Sequence, residues 1–507
     1  MKLSVLCQIL APCTVTGPAD GAISGLYYDS RRVQPGGLFF ALPGATVDGH
    51  RFIEDALARG ATAVVMEKPC TLPQGITGLL VQDGRHAMAL AAAAFYDDPT
   101  EGMLVVGITG TNGKTTVSYL VESVLKAAGH RPAVMGTVDY RFEGEHLASS
   151  HTTPESVDLM RTIAEFRSRG ADALIMEASS HALEQRRVDG VRFDVGVFTN
   201  LTPEHLDYHG DLEAYFDAKL RLFTELGDHS PRHAVVNLDD AYGARLAGIL
   251  PSAVSCGHDP RCAVTAEKVT ISVAGISGLL RTPRGGAVLH SPLVGDYNLH
   301  NLLCAAGVGV ALGMEPSAIA TALASAPQVP GRLESIENGC GALVLVDYAH
   351  TGDALQNVLG TLRQLGPRRL LCVFGCGGDR DAGKRPVMGE IAARLADVAI
   401  LTSDNPRSED PSSIMQQVET GLRRIHPGPW TPQQAREAVS GGYLTMVDRR
   451  QAIRFAVSLL QAGDVLLVAG KGHEDYQLIG NQRLHFDDRE ELRKALKSVA
   501  EETCDSI

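Results

Sequence analysis

The segment "MLVVGITGTNGKTTVSYLVESVL", residues 103–125, constrains the fold most tightly, because an apolar strand runs through a glycine-rich turn into an amphipathic helix. Gly107, Gly110 and Gly113 allow backbone amides to approach phosphate oxygens closely. The N-terminus of the following helix adds a partial positive charge. This order of strand, turn and helix is typical of a phosphate-binding loop in a parallel α/β sheet.

The loop departs from the strict P-loop pattern G-x-x-x-x-G-K-[ST] at one position, since Ile108 stands where that pattern has glycine. Lys114 is placed to reach the terminal phosphates of a nucleotide, and the Thr115 hydroxyl is placed to reach magnesium. We therefore predict a variant P-loop that binds a nucleotide through Gly110, Thr111, Asn112, Gly113, Lys114, Thr115 and Thr116.

The chain of 507 residues is too long for one core and predicts about three domains. Residues 1–98 mix short strands with an alanine-rich helix and end at the breaker "DDPT". Strands alternate with helices in residues 99–332 and again in residues 333–507, which is the pattern of open parallel sheets. Short strands and turn signals within 253–295 predict a small β insertion. The predicted fold class is α/β, with three domains at these bounds.

The bulk properties exclude several classes of protein. A net charge of −13 argues against a broad nucleic-acid-binding face, which would need a basic surface. The ten cysteines lack paired CxxC spacing, which favours reduced, buried thiols. Since there is no run of 18 apolar residues and no convincing cleavage signal, we predict a cytoplasmic protein without a membrane span.

Three further residues stand where catalytic groups are often found. Glu177 ends the strand in "ALIMEAS", His205 lies at a strand-to-helix junction, and Lys219 lies on a helix among aromatic residues. A strand-end carboxylate could hold the magnesium of a nucleotide. Taken singly, each residue also has an ordinary structural explanation, such as a solvated cap for Glu177.

Taken together, the motifs resemble the Mur ligase family. They are "GTNGKTT", "MEASSHALEQRRV", "TNLTPEHLDYHG", "YFDAKLRLF", "DYAHTGDAL", "GCGGDRDAGKRP", "SDNPR" and "AGKGHEDY", and they follow the family's order. The resemblance covers nearly the whole chain. Within the family, the motifs resemble more specifically those of the members that add 2,6-diaminopimelate. It implies a UDP-binding N-terminal domain, a central ATP-binding domain and a Rossmann-like C-terminal domain.

The resemblance also implies a mechanism. ATP phosphorylates the D-glutamate γ-carboxylate of UDP-N-acetylmuramoyl-L-alanyl-D-glutamate, and an amine attacks the resulting acyl phosphate during peptidoglycan precursor synthesis. Such chemistry needs cations and oriented donors rather than a covalent nucleophile. By resemblance, Lys114 is the P-loop lysine, Thr115 and Glu177 are Mg²⁺ ligands, and His205 lies near a second ion. Lys219 matches the lysine that the family carries as a carbamate, which can help to hold magnesium.

The resemblance assigns further contacts to the two larger substrates. For ATP they are Asn301, Arg332, Asp347 and His350. Ordinary alternatives for these four are a core amide, a domain-linking salt bridge and strand-end caps. For the UDP-sugar peptide they are Tyr28, Ser30, Thr152, Thr153, Ser179, Gln185 and Arg187. Tyr28 departs from the aliphatic residue expected before "DSR", which a backbone contact would tolerate.

The incoming amino acid is assigned to loops after strands of the C-terminal sheet, where open α/β sheets bind ligands. The second amino-acid centre of diaminopimelate presents a carboxylate that suits Arg407 and an ammonium that suits Glu474. The matching residues are Arg380, Asp404, Asn405, Pro406, Arg407, Gly470 and Glu474. By itself, "DNPR" is also a common surface turn.

Several alternatives remain open from the sequence. Within the superfamily they are a lysine-adding relative, the ligase of the next pathway step and a folylpolyglutamate-synthase-like ligase. Outside it they are a P-loop switch or motor and a non-catalytic UDP-sugar sensor. The predicted partners are small molecules only, and we predict a monomer.

Overall fold

The computed structural model describes residues 1–44, 47–149, 151–438 and 441–504. The chain forms two compact units. The first comprises Met1–Glu267, Leu279–Leu289 and His300–Ser325, and the second comprises Lys268–Gly278, His290–Leu299 and Ala326–Ile507. The three domain boundaries given above remain a prediction.

The N-terminal part of the first unit contains a five-stranded sheet. Its strands are β1 (Thr14–Thr16), β2 (Leu26–Tyr27), β3 (Gly37–Ala41), β4 (Ala61–Met66) and β5 (Thr77–Leu80), with helices α1 (Leu3–Ile9), α2 (Ile53–Ala58) and α3 (Gly84–Phe95). The strand order is β1-β5-β4-β3-β2, and only β1 runs antiparallel to its neighbour. Every residue of β3 is buried, as expected for a parallel strand covered on both faces.

An eight-stranded sheet follows. Its strands are β6 (Leu104–Thr109), β7 (Pro132–Met135), β8 (Asp139–Phe142), β9 (Glu145–Ala148), β10 (Ala173–Glu177), β11 (Val195–Phe198), β12 (His233–Asn237) and β13 (Val254–Cys256). The helices between them are α4 (Lys114–Ala127), α5 (Ser156–Ser168), α6 (Ser180–Glu184), α7 (Leu206–His209), α8 (Leu212–Thr224) and α9 (Ala241–Ile249). The strand order is β13-β12-β11-β6-β10-β7-β8-β9, and the run from β13 to β7 is parallel. The predicted parallel sheet is thereby confirmed, with β6 between β11 and β10.

The predicted β insertion contains three consecutive strands, β14 (Thr265–Ser272), β15 (Gly275–Thr282) and β16 (Gly285–Ser291), which form one sheet. Helices α10 (Asp296–Ala311) and α11 (Pro316–Ala324) follow. Pro316 occupies the first turn of α11, where its missing N–H leaves no intrahelical hydrogen bond unmade.

The C-terminal sheet has the order β17-β18-β22-β19-β20-β21 and is parallel from β18 to β21. Its strands are β17 (Glu334–Ser335), β18 (Leu343–Asp347), β19 (Leu370–Phe374), β20 (Val398–Leu401), β21 (Gly442–Thr445) and β22 (Val465–Ala469). An antiparallel hairpin follows, β23 (Tyr476–Ile479) and β24 (Gln482–His485). The helices are α12 (Gly352–Gln364), α13 (Lys384–Leu395), α14 (Pro411–Leu422), α15 (Pro432–Glu437), α16 (Arg449–Ser458) and α17 (Asp488–Cys504). The second predicted open α/β sheet is confirmed.

Within the described residues, no helix combines the length and the apolar character needed to cross a membrane.

A buried ion pair joins α16 to α17. Arg449 and Asp488 have fully buried side chains and form two hydrogen bonds, Nε to Oδ1 at 2.8 Å and Nη2 to Oδ2 at 2.6 Å. Arg449 Nη2 also donates to the carbonyl of Ala469 at the end of β22, at 2.9 Å. The pair therefore anchors two helices beside the end of a central strand.

We predict that Asp488→Ala destabilises the C-terminal unit by about 3–5 kcal/mol, because it leaves a buried guanidinium without its carboxylate. Urea unfolding of the full chain measures this as a lower midpoint. The matched control is Asp475→Ala, which removes an exposed pair with Arg483 at 3.5 Å and is expected to cost less than about 1 kcal/mol. Equal midpoints for the two variants would contradict the assigned role of the buried pair.

Candidate active site

The predicted phosphate-binding loop lies between β6 and α4, at the carboxyl edge of the eight-stranded sheet. Gly113 caps α4 with a φ of +86°, and a Cβ atom there would lie 2.3 Å from Asn301 Oδ1. Lys114 Nζ donates to the carbonyls of Gly110 and Thr111 at 2.7 and 2.8 Å, so the side chain folds back over the loop. Glycine is therefore required at 113 both by the backbone conformation and by the close approach of α10.

The remaining loop residues differ in exposure. Thr111, Thr115 and Thr116 are buried, whereas Asn112 is exposed and its backbone amide donates to Asn200 Oδ1 at 2.9 Å. Since Asn200 follows β11, the loop is fixed by the strand next to β6.

Glu177 ends β10, the strand on the other side of β6, and it pairs in register with Ile108. Its carboxylate is buried and accepts from Thr137 twice, from the backbone amide at 3.0 Å and from the hydroxyl at 2.9 Å. The hydroxyls of Thr137 and Thr152 lie 3.1 Å apart. The structure therefore places an oriented carboxylate one strand away from the phosphate loop.

Lys219 lies on α8 and is only 1% exposed. Its Nζ lies 4.4 Å from the centroid of the Tyr215 ring. Burial lowers the pKa of Lys219 well below its ordinary value, and the positive charge of Lys114 lowers it further. The neutral amine form of Lys219 is therefore favoured relative to an exposed lysine.

His205 is the N-cap residue of α7, with a φ of +57°, and it belongs to a cluster of aromatic rings. The ring centroids of His205 and His181 lie 4.8 Å apart, and those of His181 and His209 lie 5.3 Å apart. The His209 and Tyr215 centroids lie 5.0 Å apart, which connects the cluster to the neighbourhood of Lys219. Sequence reasoning named only His205 of the three histidines.

Two signals in the sequence could have found the other two histidines. His181 follows the strand-end Glu177 in "EASSH", and His209 lies four residues after His205 in "HLDYH". Burial lowers the pKa of His209 to about 4, helped by the charges of His181, Lys219 and His205. Burial and His205 also lower the pKa of His181. The pKa values of His181 and His209 therefore both lie below that of a free imidazole.

The residues predicted after Glu177 for the UDP-sugar peptide lie close together. Thr153 Oγ1 donates to the Glu177 carbonyl at 2.7 Å and accepts from the Ser179 amide at 3.2 Å. Arg187 donates to the Thr153 carbonyl at 2.8 Å and to Gln185 Oε1 at 2.7 Å. One hydrogen-bonded network thus joins four of the predicted residues to the strand that carries Glu177.

The two predicted residues of the N-terminal sheet region have different surroundings. The Tyr28 hydroxyl donates to Asp158 Oδ2, and burial raises the pKa of this tyrosine. Ser30 is buried at the start of a 3₁₀ turn that Asp29 caps. The side chain of Tyr28 is thus hydrogen-bonded within the protein. This arrangement is compatible with a ligand contact made by the backbone of Tyr28.

In the second unit, Arg332, Asp347 and His350 surround Tyr348. The Arg332 guanidinium carbon lies 4.7 Å from the centroid of the Tyr348 ring, and His350 Nδ1 lies 2.8 Å from the Tyr348 carbonyl oxygen. Asp347 is buried, and its two carboxylate oxygens each accept from a backbone amide at 2.8 Å. Burial raises the pKa of Asp347. These three predicted residues form one local group at the end of β18.

Arg407 follows β20 and adopts a φ of +51°, which is rare for a residue with a Cβ atom. Its Nη1 donates to the Gly378 carbonyl at 2.7 Å. Its backbone amide donates to the Leu478 carbonyl at 3.1 Å, and its carbonyl accepts from Gly480 at 2.7 Å. The "DNPR" turn is therefore tied both to the loop after β19 and to the β23–β24 hairpin.

A buried polar cluster supports this turn. Lys471 Nζ is fully buried, donates to Asn405 Oδ1 at 2.9 Å and lies 3.2 Å from Asp404 Oδ1. Asn405 Nδ2 donates to Glu474 Oε2 at 2.8 Å. Sequence reasoning missed Lys471, although it lies inside the quoted "AGKGHE" motif.

The pKa values of the two carboxylates in the cluster are shifted in opposite directions. Burial, with the nearby charge of Asp404, raises the pKa of Glu474. Burial opposes ionisation of Asp404 as well, but Lys471 and Arg449 outweigh it and hold the pKa of Asp404 below its ordinary value. Asp404 is thereby an internal anion, and Glu474 is the carboxylate whose proton is more easily retained.

The remaining predicted residues of this region lie on the same edge of the sheet. Arg380 is exposed in the loop after β19, Pro406 is buried after β20, and Gly470 follows β22. Since β22, β19 and β20 are adjacent and parallel, their carboxyl ends meet at one edge. The second unit therefore offers one arginine-bearing site formed by three neighbouring loops.

The fold and these sites define an α/β protein of the P-loop class, in which a phosphate loop adjoins a buried carboxylate. Three family models match successive parts of the chain: "Mur ligase family, catalytic domain" over residues 22–96, "Mur ligase middle domain" over 108–309 and "Mur ligase, glutamate ligase domain" over 331–472. The chain belongs to the Mur ligase family.

Relatives named UDP-N-acetylmuramoyl-L-alanyl-D-glutamate–2,6-diaminopimelate ligase match almost the whole chain. The protein of that name from Geobacter metallireducens is 54% identical over 99% of both chains. The one from Geobacter sulfurreducens is 52% identical over 98% of this chain and 99% of its own. A solved structure of a ligase with the same name has a TM-score of 0.71 at 33% identity and covers 99% of each chain.

We predict that Gly113→Ala weakens nucleotide binding by about tenfold or more, because the added Cβ atom would strain or displace the loop. A cost of about 1.4 kcal/mol is enough for a tenfold loss of affinity. The matched control is Gly129→Ala, since Gly129 has a similar φ of +89° but a Cβ atom added there would meet no neighbouring group within 4 Å. Titration with a fluorescent ATP analogue compares the two variants. Equal affinities for Gly113→Ala and the control would contradict the role given to the loop.

Proposed function

We propose that this chain is an ATP-dependent ligase that joins meso-2,6-diaminopimelate to the D-glutamate γ-carboxylate of UDP-N-acetylmuramoyl-L-alanyl-D-glutamate. The observation that carries this proposal is the 54% identity over 99% of the chain to a ligase named for the reaction. The reaction belongs to peptidoglycan precursor synthesis, in the cytoplasm, and we propose that the enzyme acts as a monomer.

In the first step a γ-carboxylate oxygen attacks the terminal phosphorus of ATP. The bond between phosphorus and the ADP oxygen breaks, and an acyl phosphate forms. Both reactants are anions, so the chief requirement is positive charge and oriented donors where they meet. Lys114 supplies a cation at the phosphate loop, and the α4 N-terminus supplies backbone amides. Asn301, Arg332, Asp347 and His350 complete the proposed ATP contacts.

In the second step the neutral amine of diaminopimelate attacks the carbonyl carbon of the acyl phosphate. A tetrahedral intermediate forms, the carbon–oxygen bond to phosphate breaks, and the amine loses its proton as the amide forms. The first step attaches a phosphoryl group to a carboxylate oxygen, so that phosphate is a good leaving group in the second step. The bound amine is held close to the carbonyl carbon. Arg407 is proposed to hold the distal carboxylate, and Glu474 the distal ammonium.

The residues near the loop fit Mg²⁺, which prefers oxygen ligands. Thr115 offers a hydroxyl, and Glu177 offers a buried carboxylate whose orientation Thr137 fixes. His205 and a carbamate on Lys219 would complete the set. When bound, Mg²⁺ supplies charge neutralisation for the phosphates.

The burial of Lys219 supports a carbamate at this position. A neutral amine can add to carbon dioxide, forming a nitrogen–carbon bond and releasing one proton, whereas an ammonium cannot. Burial and Lys114 favour the neutral form of Lys219 by lowering its pKa. The product is an anion near Lys114, and the two opposite charges attract each other.

The UDP-sugar peptide is proposed to contact the network around Thr153 and Arg187. In that network Arg187 is already oriented by the Thr153 carbonyl and by Gln185. A preoriented guanidinium suits a substrate carboxylate. The complete proposed set is Tyr28, Ser30, Thr152, Thr153, Ser179, Gln185 and Arg187.

The function is tested by measuring ADP release with ATP and the UDP-muramoyl dipeptide, together with diaminopimelate, lysine or no amine. We expect release only with diaminopimelate. Faster release with lysine would favour the lysine-adding alternative. Equal release without any amine would favour a P-loop switch or motor, and no release in any arm would favour a sensor.

We predict that Arg407→Ala raises the KM for meso-diaminopimelate about 30-fold or more, because loss of a desolvated charge partner costs about 2 kcal/mol or more. The KM for ATP should change little. Arg394→Ala on the exposed face of α13 is the control, since its pairing with Glu390 is an ordinary surface salt bridge. An unchanged KM for diaminopimelate would remove Arg407 from the site.

We predict that Lys219→Ala lowers kcat by about 100-fold or more, as loss of a key electrostatic group does. Short-chain carboxylic acids in the assay should restore part of the activity by replacing the carbamate. Lys126→Ala, which removes an exposed lysine of α4, is the control. Full activity of Lys219→Ala without added acid would exclude Lys219 from the mechanism.

A further inference from the structure

A second group of side chains with metal-binding chemistry lies outside the residues considered so far. It consists of Asp239 after β12, His258 after β13 and His300 in the first turns of α10, and one ligand atom from each lies within 4.8 Å of the others. All three residues belong to the first unit. The side chains are 23%, 44% and 26% exposed in that order, so a dissolved ion can reach them.

The three atoms form a nearly equilateral triangle. His258 Nδ1 lies 2.9 Å from Asp239 Oδ2, His300 Nε2 lies 3.2 Å from the same oxygen, and the two ring nitrogens lie 3.1 Å apart. Ligand atoms at about 2.1 Å from a common metal ion lie about 3.0 Å apart at right angles and about 3.4 Å apart in a tetrahedron. The observed spacings are those of one triangular face of a coordination polyhedron.

The orientation of the carboxylate is fixed by the backbone. The amide of His258 donates to Asp239 Oδ1 at 3.2 Å and to Oδ2 at 2.9 Å. A metal-ligating carboxylate is commonly held by such a second hydrogen bond. The residue that supplies one ligand therefore also orients another.

The donor set selects a class of metal. Two imidazoles and one carboxylate suit Zn²⁺, Co²⁺, Ni²⁺ or Fe²⁺, whereas Mg²⁺ prefers a shell of oxygen atoms. A face of three ligands leaves the other coordination positions open to water. We propose that Asp239, His258 and His300 form a binding site for a divalent transition-metal ion, separate from the magnesium proposed at the P-loop.

The site would connect segments that are distant in sequence. Asp239 and His258 are on loops after neighbouring parallel strands, and His300 is on α10. The next residue, Asn301, is the one whose Oδ1 lies close to Gly113 of the phosphate loop. A bound ion would therefore fix the start of α10, and with it one wall of the nucleotide-binding loop.

The test uses the full chain, stripped with EDTA and dialysed into buffer with Mg²⁺. Titration with Co²⁺ reports ligation through the visible absorption of the ion, and Zn²⁺ is then used to displace it. We expect one ion whose affinity falls by about tenfold or more in Asp239→Asn, which removes the anionic ligand, and in His300→Gln, which removes an imidazole ligand. Zn²⁺ should raise the melting temperature of the unaltered protein more than that of either variant.

The matched control is His146→Gln. His146 Nδ1 lies 2.6 Å from Asp139 Oδ2, but the third group at that carboxylate is the Arg141 guanidinium, a cation that opposes metal binding. This variant should bind Co²⁺ as the unaltered protein does. Melting curves in EDTA verify that each variant is folded. Co²⁺ affinity and Zn²⁺ stabilisation that are unchanged in both Asp239→Asn and His300→Gln would overturn the proposal, as would the absence of Co²⁺ binding to the unaltered protein.

Discussion

The burial of Lys219 near Lys114 is the interaction on which the account of the active site depends. An ammonium group cannot stay charged in a site that excludes water unless an anion lies beside it. Burial and the second cation, Lys114, lower the pKa of Lys219, and the carboxylate of Glu204 opposes them only in part. The neutral amine is therefore favoured, and addition of carbon dioxide would turn that amine into an anion. Only the anion would add to the magnesium ligands that we propose at Thr115 and Glu177.

The charge state of residue 219 also affects the histidine cluster. A positive charge on Lys219 would lower the pKa of His209 and His181. A carbamate at position 219 would reverse the sign of that contribution and favour protonation of both rings. A single modification of Lys219 would thus raise the pKa of two neighbouring histidines.

Local patterns predicted the part of the structure that local physics decides. The P-loop could be predicted because its strand, glycines and helix are adjacent in the sequence. The parallel sheets could be predicted from the alternation of strands and helices. His181, His209 and Lys471 were missed, because their roles arise from neighbours brought together by the sheets. The hairpin contacts of Arg407 were likewise hidden, since Leu478 and Gly480 lie far along the chain from it. The assigned ligand contacts came from the family resemblance rather than from spacing.

Carbon-13 NMR of the enzyme equilibrated with ¹³C-bicarbonate tests the central claim most directly, because it observes the modification itself. We predict a carbamate resonance in the unaltered enzyme that is absent from Lys219→Ala and retained in Lys126→Ala. The signal should also disappear as the pH is lowered, together with activity, since acid decomposes a carbamate. A fully active enzyme without this resonance would contradict the account, as would a resonance that persists in Lys219→Ala.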